Sequence, residues 1–420
     1  MLNLLYNLSI NAYSLIIRLL ASFNKKAKRW IEGRKSIFEK LEMAFSEQNA
    51  TQKIAWFHCA SLGEFEQGRP VIEAFRAKYS DYKILLTFFS PSGFEVRKNY
   101  QEADFIFYLP ADTTENARKF VEIVNPTIAF FVKYEFWRNY LAELKKRQIP
   151  VISFSAIFRP NQLFFKSYGG FYREVLKQFD HILVQNQESF DLLQSIDIQA
   201  VTLAGDTRFD RVKQIVEAKF EIKIAQDFKA NRQIFIVGSA WQADMEVLIP
   251  FINSLNVDKI AFIIAPHEIH REEINAWQKQ IQLKSICFSE VKNDTQLTDY
   301  QVLFIDNIGI LSSLYQYADF TFIGGSFGKG LHNILEAATF GMPILFGNKA
   351  YQKFQEATDL VRLGGAFSVT PNEDISLIIK ELSANKNKKM QVSNICRNYV
   401  LDNIGATQKV MDVVSSILKN

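Results

Sequence analysis

Glu64 closes the short run Ser61-Leu62-Gly63-Glu64, which follows an apolar stretch from Ile54 to Cys59 and opens a helical pattern ending near Tyr79. A carboxylate in the first turn of a helix lies near unpaired backbone N–H groups and the positive end of the helix dipole. There, behind a glycine that keeps the loop tight, it is expected to stay ionised near neutral pH and so to be able to take a proton from a substrate. A serine three residues before a glutamate also suits a capping box on a solvated helix start. This stretch alone leaves both readings open.

A second concentration of chemistry is Gly324-Gly325-Ser326-Phe327-Gly328-Lys329-Gly330-Leu331-His332-Asn333-Ile334-Leu335-Glu336, between an apolar run Phe320–Ile323 and a helical pattern reaching Phe340. Glycines let a ligand approach the backbone, and free N–H groups at a helix start can hold a phosphate. Glu336, one turn into that helix, can accept hydrogen bonds from a ribose or sugar diol. The run matches neither the P-loop nor the dinucleotide fingerprint, and a flexible turn with His332 as a core or capping residue is the alternative. Gly238-Ser239, Pro266-His267-Glu268 and Asp306-Asn307 also follow apolar runs. His58, His181, His267, His270 and His332 show no metal-ligand spacing, and Cys59, Cys287 and Cys396 lie far apart and read as reduced, buried thiols, so no metal site is expected.

The elements that must position these residues follow a regular alternation. Ile54–His58, Lys83–Phe88, Phe105–Tyr108, Thr127–Val132, Val151–Phe154, His181–Val184 and Val201–Leu203 read as strands with helical stretches between them. After a charged, helical-looking segment the alternation restarts with Ile234–Val237, Ile260–Ile264, Val302–Ile305, Phe320–Ile323 and Pro343–Phe346. Continuous apolar strands alternating with helices predict parallel sheets covered on both faces. The expected class is α/β, with two Rossmann-like doubly wound domains whose strand ends face a common cleft. The expected divisions are 1–35, an amphipathic anchor with a basic cluster; 36–210, the first domain; 211–232, a linker; 233–384, the second domain; and 385–420, terminal helices.

The N-terminus is different in kind. Asn3, Asn7, Asn11, Ser14, Arg18 and Ser22 recur every three or four residues as one polar stripe, and apolar residues such as Leu4, Leu8, Leu15 and Leu19 fill the rest of the helix surface. Up to Lys35 there are seven basic residues and one acid, a balance of +6, so a chain of net charge +4 is about −2 elsewhere. The body therefore does not suggest nucleic-acid binding. Arg18 and the stripe argue against a full span, and the basic cluster suits an anionic membrane surface, so a helix lying in the interface is expected. An ordinary amphipathic helix packed on the body is the alternative.

Taken in order, several motifs resemble the 3-deoxy-D-manno-octulosonic acid (Kdo) transferases, membrane-associated glycosyltransferases of the two-domain GT-B fold. They are Trp56-Phe57-His58-Cys59-Ala60-Ser61-Leu62-Gly63-Glu64, Tyr134-Glu135-Phe136-Trp137, Gly205-Asp206-Thr207-Arg208-Phe209-Asp210, Gly238-Ser239-Ala240-Trp241 and the run Gly324 to Glu336. The resemblance implies inverting transfer of Kdo from CMP-Kdo to a hydroxyl of an acylated lipid A precursor (lipid IVA), a step of lipopolysaccharide core biosynthesis. It makes Glu64 the base and places Ser61, Gly63, Arg69 and Glu135 on the acceptor. It assigns the donor nucleotide to Gly238, Ser239, His267, Gly324, Gly325, Ser326, His332, Asn333 and Glu336. CMP-Kdo is the donor substrate, and neither a separate cofactor nor a metal is implied. The location implied is the cytoplasmic face of the inner membrane, with the chain anchored at its N-terminus.

The chain departs from the pattern at several positions. Lys133 stands where many relatives have an acid, and Arg138 where they have proline. Pro266-His267-Glu268 replaces Pro-Arg-His, so His267, Lys329 or Arg208 would have to substitute for a donor-phosphate arginine. Ile310 replaces a glutamate. A UDP-sugar 2-epimerase on the same architecture, or a membrane-tethered nucleotide-sugar binding module, are the competing readings.

Overall fold

A computed structural model describes residues 2–46, 52–218, 220–254, 260–328, 330–371 and 375–419. The chain forms two compact units, Met1–Arg211 with Ile404–Asn420, and Val212–Asn403. The first is built on β1 (Lys53–Cys59), β2 (Tyr82–Phe88), β3 (Phe105–Tyr108), β4 (Ile128–Val132), β5 (Val151–Ala156), β6 (His181–Val184) and β7 (Val201–Leu203). Their order is β3-β2-β1-β4-β5-β6-β7, with every neighbouring pair parallel. Six of the seven residues of β1 and all five of β4 are buried, as strands covered on both faces must be. Phe57 of β1 lies in register with Phe130 of β4, their rings stacked at 4.3 Å.

The second unit repeats the plan with β8 (Gln233–Ala240), β9 (Ile260–Pro266), β10 (Ser285–Cys287), β11 (Val302–Phe304), β12 (Phe320–Ile323), β13 (Ile344–Gly347) and β14 (Ala366–Val369). The order is β10-β11-β9-β8-β12-β13-β14, again parallel throughout. In each sheet one pair of neighbours marks where the winding reverses: β1 and β4 in the first, β8 and β12 in the second. Ligands of doubly wound sheets bind outside the carboxyl ends of strands at such a point. Ser61 to Glu64 follow β1, Lys133 to Trp137 follow β4, and Gly324 to Glu336 follow β12. Gly238 and Ser239 lie within β8 rather than after it, at an irregularity in its pairing with β9 where Ser239 has φ +55°.

The helices that matter for the site are α1 (Leu2–Leu20), α2 (Lys25–Gly33), α3 (Ile37–Phe45), α4 (Leu62–Lys78) and α5 (Pro91–Arg97). The body-facing side of α1 carries Tyr6, Asn7, Ile10, Ser14 and Ile17, whereas Asn3, Asn11 and Arg18 of the polar stripe are exposed; Tyr6 donates to Asp112 Oδ2 at 2.6 Å, and Asn7 Oδ1 accepts from Asn139 Nδ2 at 3.0 Å and from Thr114. Most of its leucines point outward, with Leu4 64% and Leu19 66% exposed, as is Phe23 in the turn that follows. Buried Asp112 rewards polar contact at Tyr6, so this helix docks partly through polar groups while most of its leucines stay on the outside. No described helix is long and apolar enough to cross a membrane.

The segment expected to link the domains holds helices Arg208–Glu217 and Lys223–Lys229. The last helix, Ala406–Lys419, packs on the first unit, where Val410, Met411 and Val414 join its core and Gly405 and Thr407 N–H groups donate to Asp210 at 2.6 and 2.7 Å.

Candidate active site

Glu64 sits in the first turn of α4. Ser61 and Glu64 form a reciprocal capping box, with the Ser61 N–H donating to Glu64 Oε2 at 3.1 Å and the Glu64 N–H directed at Ser61 Oγ. The cap and the functional reading thus coexist. The expected ionisation does not hold: burial pushes the Glu64 carboxyl up to about 8, and the Glu135 carboxylate adds to the rise. The Lys133 ammonium and the Ser61 and Ala60 backbone pull the other way without prevailing. Loss of water around a carboxylate here outweighs the helix-terminus contacts that the sequence advertised. A carboxyl with this affinity is a better proton acceptor near neutral pH than an ordinary glutamate.

Gly63 is the second residue of α4, and a Cβ there would meet nothing within 4 Å. Loop tightness therefore does not require glycine at this position; its absence of side chain leaves clear space beside Glu64.

Glu135 is held by a buried polar network. His58 Nε2 lies 3.2 Å from Glu135 Oε2, and the Trp137 indole N–H donates to the same oxygen. On the other side of the ring, His58 Nδ1 lies 2.9 Å from Thr87 Oγ1, which accepts from Trp56 Nε1 at 2.8 Å. His58 and Thr87 are fully buried and Glu135 nearly so. The Trp137 indole nitrogen also lies 3.1 Å from His58 Nε2, so the three side chains converge on one point. Lys133 has φ +68°, in the left-handed region, where β4 ends. The network fixes Glu135, whose negative charge reaches the Glu64 carboxyl.

At the second switch point Gly325 has φ +95°, and a Cβ on it would lie 2.2 Å from the Gly330 carbonyl oxygen, so only glycine fits the turn. Asp244 ties the loop down by accepting from the Gly325 N–H at 2.7 Å and the Trp241 N–H at 3.0 Å. Ser326 is buried and donates to the Gly347 and Lys349 carbonyls, so its hydroxyl supports the loop. The His267 and His332 rings stack at 4.1 Å, with Trp241 4.5 Å from His267. Trp241 Nε1 donates to His332 Nε2 at 2.8 Å. Burial, helped by His267, lowers His332 to about 4, so it is neutral near pH 7 and carries its proton on Nδ1. The following helix begins only at Leu335, which puts Glu336 in its first turn, where Asn333 Nδ2 donates to it at 3.2 Å.

The structure thus groups Ser61, Gly63, Glu64 and Glu135 at one switch point, and Gly238, Ser239, His267, Gly324, Gly325, Ser326, His332, Asn333 and Glu336 around the other. Arg69 is set apart from Glu64: its Nε pairs with Glu73 at 2.7 Å, and it lines a separate groove with Arg97 and Tyr100. Arg208 is paired with Asp206 at 2.8 Å, and Lys329 lies outside the described residues. Sequence reasoning missed the roles of His58, Thr87, Trp137, Trp241 and Asp244. His58 carried a readable signal, as the one imidazole inside the apolar run of β1.

Two Rossmann-like sheets with polar groups at both switch points define a GT-B-type enzyme. A search of solved structures agrees on the fold: UDP-GlcNAc 2-epimerase from Neisseria meningitidis bound to UDP-GlcNAc matches with TM-score 0.61 at 15% identity, covering 88% of this chain and all of that one. A putative UDP-N-acetylglucosamine 2-epimerase from Listeria monocytogenes gives 0.60 at 10% identity, covering 88% and 97%. Residues 35–211 match the family model described as 3-Deoxy-D-manno-octulosonic-acid transferase (kdotransferase). Curated 3-deoxy-D-manno-octulosonic acid transferases are similar over most of the chain. That of Rickettsia typhi is 23% identical over 93% of this chain and 84% of its own length, and that of Aquifex aeolicus 24% over 84% and 94%. Residues 35–211 thus carry a Kdo transferase domain, and the chain is a glycosyltransferase similar over most of its length to enzymes of that family.

Proposed function

We propose that this enzyme moves Kdo from CMP-Kdo to a hydroxyl of an acylated lipid A precursor, with inversion, at the cytoplasmic face of the inner membrane. The observation that carries the reading is Glu64 at the β1/β4 switch point, its carboxyl raised to about 8 beside Glu135 and open space at Gly63. The acceptor oxygen attacks the anomeric carbon of Kdo, the bond from that carbon to the CMP phosphate oxygen breaks, and the hydroxyl proton passes to Glu64. The leaving phosphate gains charge, which backbone N–H groups of the glycine-rich turn and the His332 Nδ1–H can stabilise. The outward apolar face of α1 and the basic residues behind it would hold the enzyme on an anionic bilayer, where an acylated acceptor resides.

The test is CMP release from CMP-Kdo, with and without a tetraacylated acceptor. Acceptor-dependent release is expected; its absence from a folded, membrane-bound enzyme would sink the reading. Turnover of UDP-GlcNAc without any acceptor would select an epimerase instead.

A further inference from the structure

Beside α1 runs a groove of about 320 Å³ that the chemistry described so far does not use. Tyr13, Ile17 and Leu20 of α1, Ala27 and Trp30 of α2, and Phe89 line most of it, with Asn24, Lys26 and Ser90 among the polar residues that complete it. Its floor is aromatic: Trp30 and Phe89 meet edge to face at 5.7 Å, and Tyr13 lies 6.3 Å from each. Behind the floor Arg34 stacks on Trp30 at 3.9 Å and donates to the Leu109 and Phe89 carbonyls, each at 2.8 Å, so the groove is braced rather than collapsible.

The wall of the groove adjoins the candidate active site. Phe89 packs on Trp137 at 4.8 Å, and Trp137 is the residue whose indole holds Glu135. Ser90, which also lines the groove, donates its N–H at 2.7 Å to the carbonyl of Ala60, next to Ser61. An apolar groove beside an outward-facing apolar helix, with a wall ring packed on the tryptophan that holds Glu135, fits a ligand with a hydrocarbon chain at one end and a hydroxyl at the other.

We propose that this groove holds one fatty acyl chain of the acceptor, so that α1 and α2 select the acylated substrate as well as meeting the membrane. The proposal rests on the acylated-acceptor reading given under Proposed function. Ala27 is the small residue of the wall, and Ala27→Trp fills the groove from a partly exposed helix position without touching Glu64, Glu135 or His58. With full-length enzyme in detergent, kcat/KM is measured for a tetraacylated acceptor and for the same acceptor stripped of its ester-linked chains. The wild type is expected to prefer the acylated form, and Ala27→Trp to lower that preference by about tenfold, the order expected for losing a few buried methylenes. An unchanged preference would overturn the groove as an acyl site.

A second measurement needs no variant. A tetraacylated acceptor bearing a diazirine on one chain is photolysed with the wild type, and label is expected in residues 13–30 and 89–91. Label elsewhere overturns the proposal. Equal labelling of the groove by a diazirine phospholipid would make the occupant a bulk membrane lipid and also overturns it. If neither acceptor supports CMP release, the transferase reading fails instead, while the labelling result still decides the groove.

Discussion

The two switch points share a topology and differ in chemistry. At β1/β4 the side chains are acidic: the charge of Glu135 raises the Glu64 carboxyl, and a buried His58–Thr87–Trp56 chain fixes Glu135. At β8/β12 the backbone does more, with a left-handed glycine turn tied to Asp244 and a stack of Trp241, His267 and neutral His332. A glutamate with a raised affinity for protons, beside a second acid held in place, suits deprotonating a hydroxyl. A turn rich in N–H groups beside a neutral imidazole suits receiving an anion. The same sheet arrangement supports both because the winding reversal supplies only a crevice, and the residues that follow the strands decide its sign.

The largest effect expected from breaking this contrast is at Glu64. Glu64→Gln should lower kcat by about a hundredfold or more, the range for losing a general base, while CMP binding measured by calorimetry stays intact. A loss of CMP affinity in step with kcat would erase the division between the two ends. On the other side, His332→Ala should weaken CMP binding by about tenfold, one hydrogen bond to a charged group; unchanged affinity would remove His332 from the donor site.

Finer tests act on the acid pair. Glu135→Gln removes a negative neighbour, so the acid limb of the pH–rate profile should move to lower pH. Lys133→Met removes a positive one, so the limb should move to higher pH. Shifts in the same direction would contradict the charge arrangement around Glu64.

The smallest expected effect is on stability. Because the folded carboxyl of Glu64 holds its proton more tightly than an unfolded glutamate, the native state binds more protons between about pH 4.5 and 8. Stability from this group therefore falls as pH rises through that window. Glu64→Gln should melt higher than the wild type at about pH 8.5, by about 2 °C or more, and with little difference near pH 4.5. A lower melting point at alkaline pH would mean that the capping box outweighs the burial of charge.

Most of the fold was legible because parallel strands buried on both faces leave long apolar runs. Twelve such runs correspond to strands, whereas β10 and β14 escaped: each is three or four residues long, contains serine and includes partly exposed positions. Short edge strands carry too little pattern to distinguish from loops. At the site, Ser61, Glu64 and the glycine-rich turn were readable as motifs next to strand ends. The raised carboxyl of Glu64 was not, since it depends on Glu135, 71 positions away in sequence, and on burial that no local spacing encodes. The same holds for His58, whose partners Thr87 and Glu135 come from two other strands' ends. The apolar surface of α1 was legible, but its outward direction was set by Asp112, Thr114 and Asn139 far along the chain.

The most direct test of Glu64 as the base is the pH dependence of kcat/KM for acceptor, measured from about pH 5 to 10 in the wild type and in Glu64→Gln. A wild-type acid limb with an apparent pKa of about 8 is expected, together with a residual activity in Glu64→Gln that lacks this limb. A wild-type limb in the ordinary carboxylate range, or an unchanged limb in Glu64→Gln, would contradict it.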